Sequence, residues 1–262
     1  MPYARIMERS WIEAEWPAPS VVRVLATTRR LPGLSPPPYD RCNLGARSGD
    51  DVRIVEHNRQ QLIEQIGLPS FPVWLKQVHG ARVLCVEQAR LTPISVEAEP
   101  EADAAVGCNS GIVLAVLSAD CLPVAFAATD GSVIGLAHAG WRGLAAGVLE
   151  RTVAAMRIQP ADVLAWLGPA IGPESYEVGE DVRTAFVAGD PGADTCFAYT
   201  RRGHWRCDLY ALARRQLDCV GISHVHGGGF DTFGDPARFY SYRRDGVRSG
   251  RQATLIWIDP RS

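Results

Sequence analysis

Residues 111–143 read GIVLAVLSADCLPVAFAATDGSVIGLAHAGWRG, and the expected fold class follows from the pattern of this stretch. It holds three short apolar runs, Ile112–Leu117, Val124–Ala128 and Val133–Ala137. The runs are apolar throughout rather than alternating, which is typical of strands that are covered on both faces. Polar residues stand where the runs end, with Cys121 after the first and His138 after the third. The stretch therefore predicts buried central strands whose ends carry side chains able to bind a metal.

The rest of the chain predicts further strands and helices around these three. Other apolar or β-branched runs predict strands at Ser20–Ala26, Phe71–Leu75, Arg82–Glu87, Val163–Leu167 and Ala253–Ile258. Helices are predicted from a cap at Asp50 or Asp51 to Gly67, over Leu144–Met156, and from a cap at Asp208 to Gly221. Strands and helices are interspersed without strict alternation. We therefore expect an α+β fold of layered mixed sheets with helices outside, in one domain spanning 1–262.

Composition and charge narrow the class of protein. Of the 262 residues, 47% are hydrophobic and 21% charged, as in globular proteins, and the net charge of −2 argues against nucleic acid or an anionic membrane as partner. No run approaches the roughly 18–20 apolar residues of a membrane span, and the first residues lack the apolar core of a secretory signal. The seven cysteines are scattered without a CxxC motif. We therefore expect a reduced, cytoplasmic protein.

Three residues share one context. His79, Cys121 and His138 each stand where a predicted buried run gives way to a turn. Two imidazoles and a thiolate suit Zn²⁺, and three protein ligands leave a fourth position for water, as in catalytic sites. Asp103 and Asp120 are carboxylates available to orient the imidazoles. A histidine after a strand is often structural and a lone cysteine is often core, so the residues alone leave both interpretations open.

The glycine-bracketed turn Gly140–Gly143 suggests an anion pocket beside these residues. It leads into the predicted helix, whose free N–H groups would face an anion, and Arg142 adds a bidentate donor for phosphate. The alternative is a flexible loop with a solvated arginine. In 239–258, Tyr240 and Tyr242 could stack on a planar ligand, beside a hairpin-like stretch with four arginines and a turn at Asp245-Gly246.

Other histidines offer weaker metal sites. His224 and His226 would point to the same face of an extended segment, but no third soft ligand is adjacent. His204 near Cys207 is a weaker pair still, and His57 falls on the solvent side of a helical pattern.

The motifs together resemble a known family. They are TTR…LSPPPYDRCNLG, DDVRIVEHNRQQL, LKQVHG, EADAAV, LSADCLPV, IGLAHAGWRGLAAGVLE, LGPAIGPESYEVGEDV, CDLYALARRQLDCVGI and FYSYRRDGVRSGRQATLIWI, in this order along most of the chain. The sequence resembles the multicopper polyphenol oxidase or laccase-domain family, described as purine nucleoside phosphorylases and, for some bacterial members, as peptidoglycan editing factors.

This resemblance implies a fold, a metal and an activity. It implies an α/β/β/α domain similar to the catalytic domain of the cytotoxic necrotizing factor toxins, and zinc bound by His79, Cys121 and His138. It implies phosphorolysis of adenosine, inosine, guanosine and methylthioadenosine, and zinc-dependent deamination of adenosine. Two segments depart from the family pattern. Arg30–Gly33 is one residue longer than the usual Gly-Gly stretch, and Asp231-Thr232 replaces a Cys-Thr pair.

The leading hypothesis is thus a zinc-dependent purine nucleoside phosphorylase that acts on nucleosides and phosphate as a monomer or homodimer. His79, Cys121, His138 and Arg142 are the predicted catalytic residues, and the predicted substrate-binding residues are Arg29, Gln77 and Arg243. A second enzyme hypothesis is a hydrolase editing a peptidoglycan precursor, with Cys121 as nucleophile and His138 as base.

Two further alternatives are a copper oxidase and a non-enzymatic, metal-stabilised binding protein. A set of two histidines and one cysteine does resemble a blue-copper site. A multicopper cluster, however, needs more imidazoles than the six present, and Met1, Met7 and Met156 are not placed as axial ligands. Copper is therefore expected only as an adventitious or alternative metal.

Overall fold

The computed structural model describes residues 10–260, so Met1 and Met7 lie outside the described residues. The strands in chain order are β1 (Trp11–Glu13), β2 (Val22–Thr27), β3 (Val83–Val86), β4 (Ala104–Gly107), β5 (Val113–Ser118), β6 (Leu122–Ala128), β7 (Ile134–Ala139), β8 (Val163–Leu167), β9 (Glu177–Gly179), β10 (Phe197–Arg201), β11 (His204–Cys207), β12 (His224–Gly227) and β13 (Gln252–Ile258). The α-helices are α1 (Val52–Ile66), α2 (Trp141–Ala145), α3 (Val148–Met156), α4 (Glu180–Val187), α5 (Leu209–Cys219) and α6 (Tyr242–Asp245).

Two sheets form the centre of the fold. One has four strands in the order β1-β2-β13-β5, all antiparallel. The other has six strands in the order β12-β8-β6-β7-β4-β3, with parallel pairs at its two edges and antiparallel pairs between them. The three apolar runs of 111–143 are β5, β6 and β7, and β6 and β7 lie in the middle of the larger sheet. This position explains why their residues are apolar throughout.

The sheets and helices stack in the predicted α/β/β/α layers. Residues such as Leu114, Ile134 and Ile256 form a core between the two sheets. Leu62 of α1 packs on the outer face of the four-stranded sheet. On the outer face of the six-stranded sheet, α3, α4 and α5 contribute a third core that includes Leu149. The expected α+β class with mixed sheets is confirmed, and a small sheet, β10-β11-β9, is added beside these helices.

Two predicted helices have the expected caps. The Asp51 carboxylate accepts a hydrogen bond from the Arg53 N–H at the start of α1, and Gly67 ends that helix with a φ of 70°. The Asp208 carboxylate accepts from the Ala211 N–H at the start of α5.

Two predictions were wrong at the level of local structure. Phe71–Leu75 is not a strand, because Pro72 has no N–H to donate, and only isolated bridges at Phe71 and Val73 remain. The predicted helix Leu144–Met156 begins earlier, at Trp141, and is broken into α2 and α3 at Gly147, whose φ of 78° is left-handed.

The stretch 239–258 also differs from the expected hairpin. Residues 242–248 form α6 and a short 3-10 turn, and the last strand, β13, runs between β2 and β5. The Ser241 hydroxyl accepts from the Arg244 N–H and so starts the helix. None of the helices within residues 10–260 combines the length and the apolar character that a membrane crossing requires.

Candidate metal centre

The structure brings His79, Cys121 and His138 together, although they lie on three separate segments. Their ligand atoms are all within 4.8 Å of one another, and the two imidazole centroids are 4.9 Å apart. Strands β6 and β7 pair Leu122 with Ala139, which places Cys121 beside His138. His79 comes from a loop and has a φ of 60°, a conformation that is uncommon for a residue other than glycine.

Asp103 holds both histidines. Its Oδ1 lies 3.0 Å from His138 Nδ1 and accepts the His79 N–H at 2.9 Å, while its Oδ2 accepts the Gly80 N–H at 2.7 Å. The carboxylate is fully buried and can only accept, so Nδ1 of His138 carries the hydrogen and Nε2 remains for a metal. Of the two carboxylates that the sequence offered for orienting the imidazoles, Asp103 is the one in place.

Asp120 supports the cysteine rather than a histidine. It has a φ of 95°, and its carboxylate accepts the Thr232 hydroxyl at 2.7 Å and the Arg243 N–H at 2.6 Å. The Asp120 carbonyl also accepts the Ile171 N–H. These bonds hold the turn that presents Cys121. Thr232, which matches the threonine of the family's Cys-Thr pair and follows the departing Asp231, is thus part of this support.

The charges in the cluster favour a thiolate. Burial raises the pKa of the Cys121 thiol, but the charge of His138 and hydrogen bonds from both imidazoles outweigh burial and bring this pKa below its usual range. Burial lowers the pKa of His138, but the negative charges of Cys121 and Asp103 outweigh it and raise this pKa. The thiolate is the form of cysteine that binds metals and attacks as a nucleophile.

The donor set and its surroundings fit a single Zn²⁺ ion. Two imidazole nitrogens and one thiolate sulfur are borderline-soft ligands, and they leave a fourth position open. The chain passes so close that a Cβ on Gly140 would lie 2.8 Å from Cys121 Sγ and 3.2 Å from His79 Cδ2. Within residues 10–260, no other group of three or more His, Cys, Asp or Glu side chains is placed to hold a metal. A multicopper arrangement therefore has no second cluster in the described part of the chain.

His79, Cys121 and His138 line a cleft of about 580 Å³ that is rich in arginine. Its rim includes Arg47, Arg142, Arg243 and Arg251, together with the rings of Tyr176 and Tyr242. The Arg142 guanidinium lies 4.4 Å from the ring centroid of Trp141 and makes no hydrogen bond or ion pair with the described residues 10–260. Arg142 is therefore available to an anion, whereas α2, with only five residues, adds little of the expected helix-end charge.

Arg243 and Gln77 also line the cleft, but hydrogen bonds within the protein already occupy part of each side chain's polar groups. Arg243 Nη1 donates to the Glu177 carbonyl at 2.9 Å, and its guanidinium lies 5.2 Å from the ring centroid of Tyr176. The Gln77 amide makes two hydrogen bonds of 2.8 Å with the backbone of Leu117. Gln77 thus braces the cleft wall, and its role in substrate binding stays a prediction.

Arg29 is not among the residues that line the cleft. Its side chain pairs with Asp40 at 3.2 Å and lies 4.9 Å from the ring centroid of Tyr240. Its substrate role also stays a prediction. The segment Arg30–Gly33, which departs from the family pattern, does not line the cleft either. The loop Gly45–Ser48 does line it. Tyr240 is fully buried, which leaves only Tyr242 of the two tyrosines able to stack on a ligand.

The other histidines are placed as the sequence suggested. His224 and His226 lie on β12 and His204 on β11, and none of them joins a ligand group within the described residues. His57 is exposed on α1.

Sequence reasoning missed Ser118 and Arg47. Ser118 lines the cleft, is 3% exposed, and its hydroxyl has no hydrogen-bond partner in the described chain. Ser118 ends the apolar strand β5 three residues before Cys121. This strand-end position is the feature of the sequence that could have identified Ser118 as a site residue. Arg47 follows a proline-rich loop, and nothing in the sequence connects it with the cleft.

The fold and the cluster define a class: an α+β protein with layered sheets and an open site of two histidines and one cysteine. The family model described as "Multi-copper polyphenol oxidoreductase laccase" matches residues 24–259, and the chain belongs to this family. A Xylella fastidiosa protein named purine nucleoside phosphorylase is 58% identical over 255 residues, covering 95% of this chain and 97% of that protein. The Escherichia coli K12 protein named purine nucleoside phosphorylase YfiH is 46% identical over 247 residues, covering 94% and 98%.

Solved structures agree with the fold. A Neisseria meningitidis protein of the DUF152 family superposes with a TM-score of 0.88 at 43% identity, over 96% of this chain and all of that one. YlmD from Geobacillus stearothermophilus superposes with a TM-score of 0.90 at 31% identity, over 96% and 97%.

Proposed function

We propose that this protein is a zinc-dependent purine nucleoside phosphorylase that also deaminates adenosine. Adenosine, inosine, guanosine and methylthioadenosine are its proposed nucleoside substrates, and inorganic phosphate is the second substrate. The observation that carries the proposal is the open cluster of His79, Cys121 and His138 in one cleft with the unpaired guanidinium of Arg142. Relatives that carry the name purine nucleoside phosphorylase support it.

His79, Cys121 and His138 would hold the metal, and Asp103 fixes the ring orientation of His138. Bound Zn²⁺ supplies a Lewis acid that polarises a substrate atom and activates water for the deamination of adenosine. Asp120 and Thr232 keep Cys121 in position through the turn between β5 and β6.

In phosphorolysis, phosphate attacks C1′ of the ribose and the purine leaves through its glycosidic nitrogen. The reaction needs donors that hold phosphate and balance the developing charge. Arg142 is the proposed main donor, because a guanidinium can bind phosphate bidentately and its own is free. Arg243 would assist with the N–H groups that Glu177 does not occupy. Tyr242, which is 48% exposed on the rim, offers a ring face to the purine.

One observation favours a second candidate function. Asp103, His138 and Cys121 form a chain in which the carboxylate orients the imidazole and the imidazole stabilises the thiolate. This order of groups is the one that nucleophilic cysteine hydrolases use. The second candidate is thus a hydrolase that edits a peptidoglycan precursor, with Cys121 as nucleophile.

Turnover of a nucleoside panel with and without phosphate tests the proposal. Phosphorylase activity requires release of free purine only when phosphate is present, with an equal amount of ribose 1-phosphate, or of 5-methylthioribose 1-phosphate when methylthioadenosine is the substrate. Deamination of adenosine requires release of inosine and ammonia independently of phosphate. A protein that cleaves none of the four nucleosides in the presence of phosphate would contradict the proposal.

The proposal also covers the domain organisation, the cellular compartment and the oligomeric state. We propose that 1–262 form one laccase-domain-family domain and that the protein works in the cytoplasm as a monomer or homodimer. Its proposed partners are small molecules rather than nucleic acid or membranes, in keeping with the net charge of −2.

A further inference from the structure

A second cavity, of about 310 Å³, lies apart from the cleft and shares none of its lining residues. We call it the back pocket. It is bounded by α1 and by the segments 71–74 and 90–96. Its apolar walls include Ile63, Phe71, Trp74 and Ile94, and two arginines, Arg59 and Arg90, also line it. An apolar cavity with a few polar groups is the usual form of a small-molecule site.

Both arginines hold an unused hydrogen-bond donor. Arg59 is only 8% exposed; its Nε donates to the Leu44 carbonyl and its Nη1 to Glu99 at 2.7 Å, but its Nη2 has no partner. Arg90 Nε is likewise buried without a partner. A buried donor that stays unsatisfied costs about 1–3 kcal/mol, and more when the group is charged. A ligand with acceptor oxygens would recover this energy once the two guanidinium groups, whose unpartnered nitrogens have almost no exposed surface, turn toward it.

The local charge favours an anion. Glu99 is buried and forms ion pairs with both Arg47 and Arg59, so one carboxylate faces two guanidinium groups. Arg90 adds a further positive charge, and the one acidic residue lining the pocket, Glu56, is exposed. Burial lowers the pKa of Arg59 although Glu99 acts to raise it, so Glu99 does not fully offset the burial of the cation.

The walls favour a flat apolar body. The Arg59 guanidinium lies 4.3 Å from the ring centroid of Trp74, which orients both groups relative to each other. Phe71 and Ile94 are half-buried and add further apolar surface. We propose that the back pocket binds a small aromatic carboxylate, with its oxygens on Arg59 and Arg90 and its ring against these apolar side chains. This site is independent of the activity proposed for the cleft.

Calorimetric titration of the intact protein with indole-3-carboxylate tests the proposal. We expect saturable binding of one molecule per chain. The neutral analogue indole-3-carboxamide keeps the shape but loses the charge, and it should bind roughly tenfold more weakly or worse. Absence of saturable binding of indole-3-carboxylate, or equal binding of the two compounds, would overturn the proposal.

Two variants assign the binding to this pocket. Arg90→Leu removes one proposed donor, and Ile94→Glu places a negative charge on the wall. Both leave the pairing of Arg59 with Glu99 intact, and both should weaken binding roughly tenfold or more. Arg53→Gln, on the exposed side of α1, is the matched control and should bind as the unchanged protein does. Unaltered binding in both pocket variants, each shown to be folded by circular dichroism, would place the ligand elsewhere and overturn the proposal.

Discussion

Asp103 and His138 are joined twice, by side chain and by backbone. Asp103 Oδ1 lies 3.0 Å from His138 Nδ1, and the Asp103 carbonyl accepts the His138 N–H at 2.7 Å. The second bond follows the antiparallel pairing of β4 with β7. The orientation of a candidate metal ligand is thus fixed by the register of the six-stranded sheet, and the same carboxylate also shapes the loop that carries His79.

Asp103→Asn should weaken zinc binding. The amide cannot accept from His138 and from the Val78 and Gly80 N–H groups together, because its NH₂ group faces one of these donors. We expect a loss of roughly 10- to 100-fold in zinc affinity, measured by competition with a chromophoric chelator. Glu101→Gln, at an exposed residue paired with Lys76, is the control and should leave the affinity unchanged. Equal affinities in all three proteins would show that Asp103 does not orient the ligands.

Gly140→Ala should disrupt the metal cluster through contact alone. The added Cβ would lie 2.8 Å from Cys121 Sγ, closer than Cβ atoms approach a sulfur without displacement. Gly189→Ala is the matched control, because a Cβ there meets nothing within 4 Å. We expect the zinc content of purified protein to fall for the first variant and not for the second. A full zinc content in Gly140→Ala would contradict the close packing of chain and cluster.

Thr232→Val should lower the free energy of unfolding. The valine has nearly the same shape but leaves the buried Asp120 carboxylate without the hydroxyl donor it accepts at 2.7 Å. We expect a loss of about 1–3 kcal/mol in denaturant unfolding. Thr232→Ser keeps the hydroxyl and should recover the part of this loss that comes from the hydrogen bond. If the serine variant is as destabilised as the valine variant, the hydroxyl does not support the turn.

Arg142→Gln should raise the phosphate KM in nucleoside phosphorolysis. It removes a charged donor pair at a side chain that has no other hydrogen-bond or ion-pair partner within residues 10–260. Charged hydrogen bonds contribute about 1.5–3 kcal/mol, so we expect a rise of roughly tenfold or more. Arg202→Gln, an exposed arginine between β10 and β11, is the control. An unchanged phosphate KM in Arg142→Gln would remove this role.

Cys121 and His138 each follow an apolar run of clear strand character, but this pattern alone left a metal site and a structural role open, and only the family resemblance implied the ligand set. Their pairing in space follows from the neighbouring strands β6 and β7. His79 was found by the same pattern even though the run before it, interrupted by Pro72, is not a strand. Its left-handed backbone depends on three N–H bonds to Asp103, a residue 24 positions away, which no local pattern shows.

Other features of the structure could not be predicted from the sequence because they depend on tertiary contacts. The break at Gly147 was not predicted because an isolated glycine within a helical pattern is tolerated and need not end the helix. Arg29 and Gln77 are predicted to bind substrate, and this stays a prediction. Asp40 and the Leu117 carbonyl accept hydrogen bonds from their side chains, contacts that no local sequence pattern shows. The back pocket is assembled from α1 and two loops, so its arginines meet only in the folded chain.

Zinc removal and restoration separate a metal-dependent enzyme from a metal-free one. We expect one zinc ion per chain in purified protein, loss of phosphate-dependent adenosine cleavage after treatment with a chelator, and recovery when Zn²⁺ is restored. His138→Ala should lack both the metal and the activity while retaining its circular dichroism spectrum. Undiminished phosphate-dependent cleavage by metal-free protein would contradict a zinc-dependent reaction and favour thiol chemistry at Cys121.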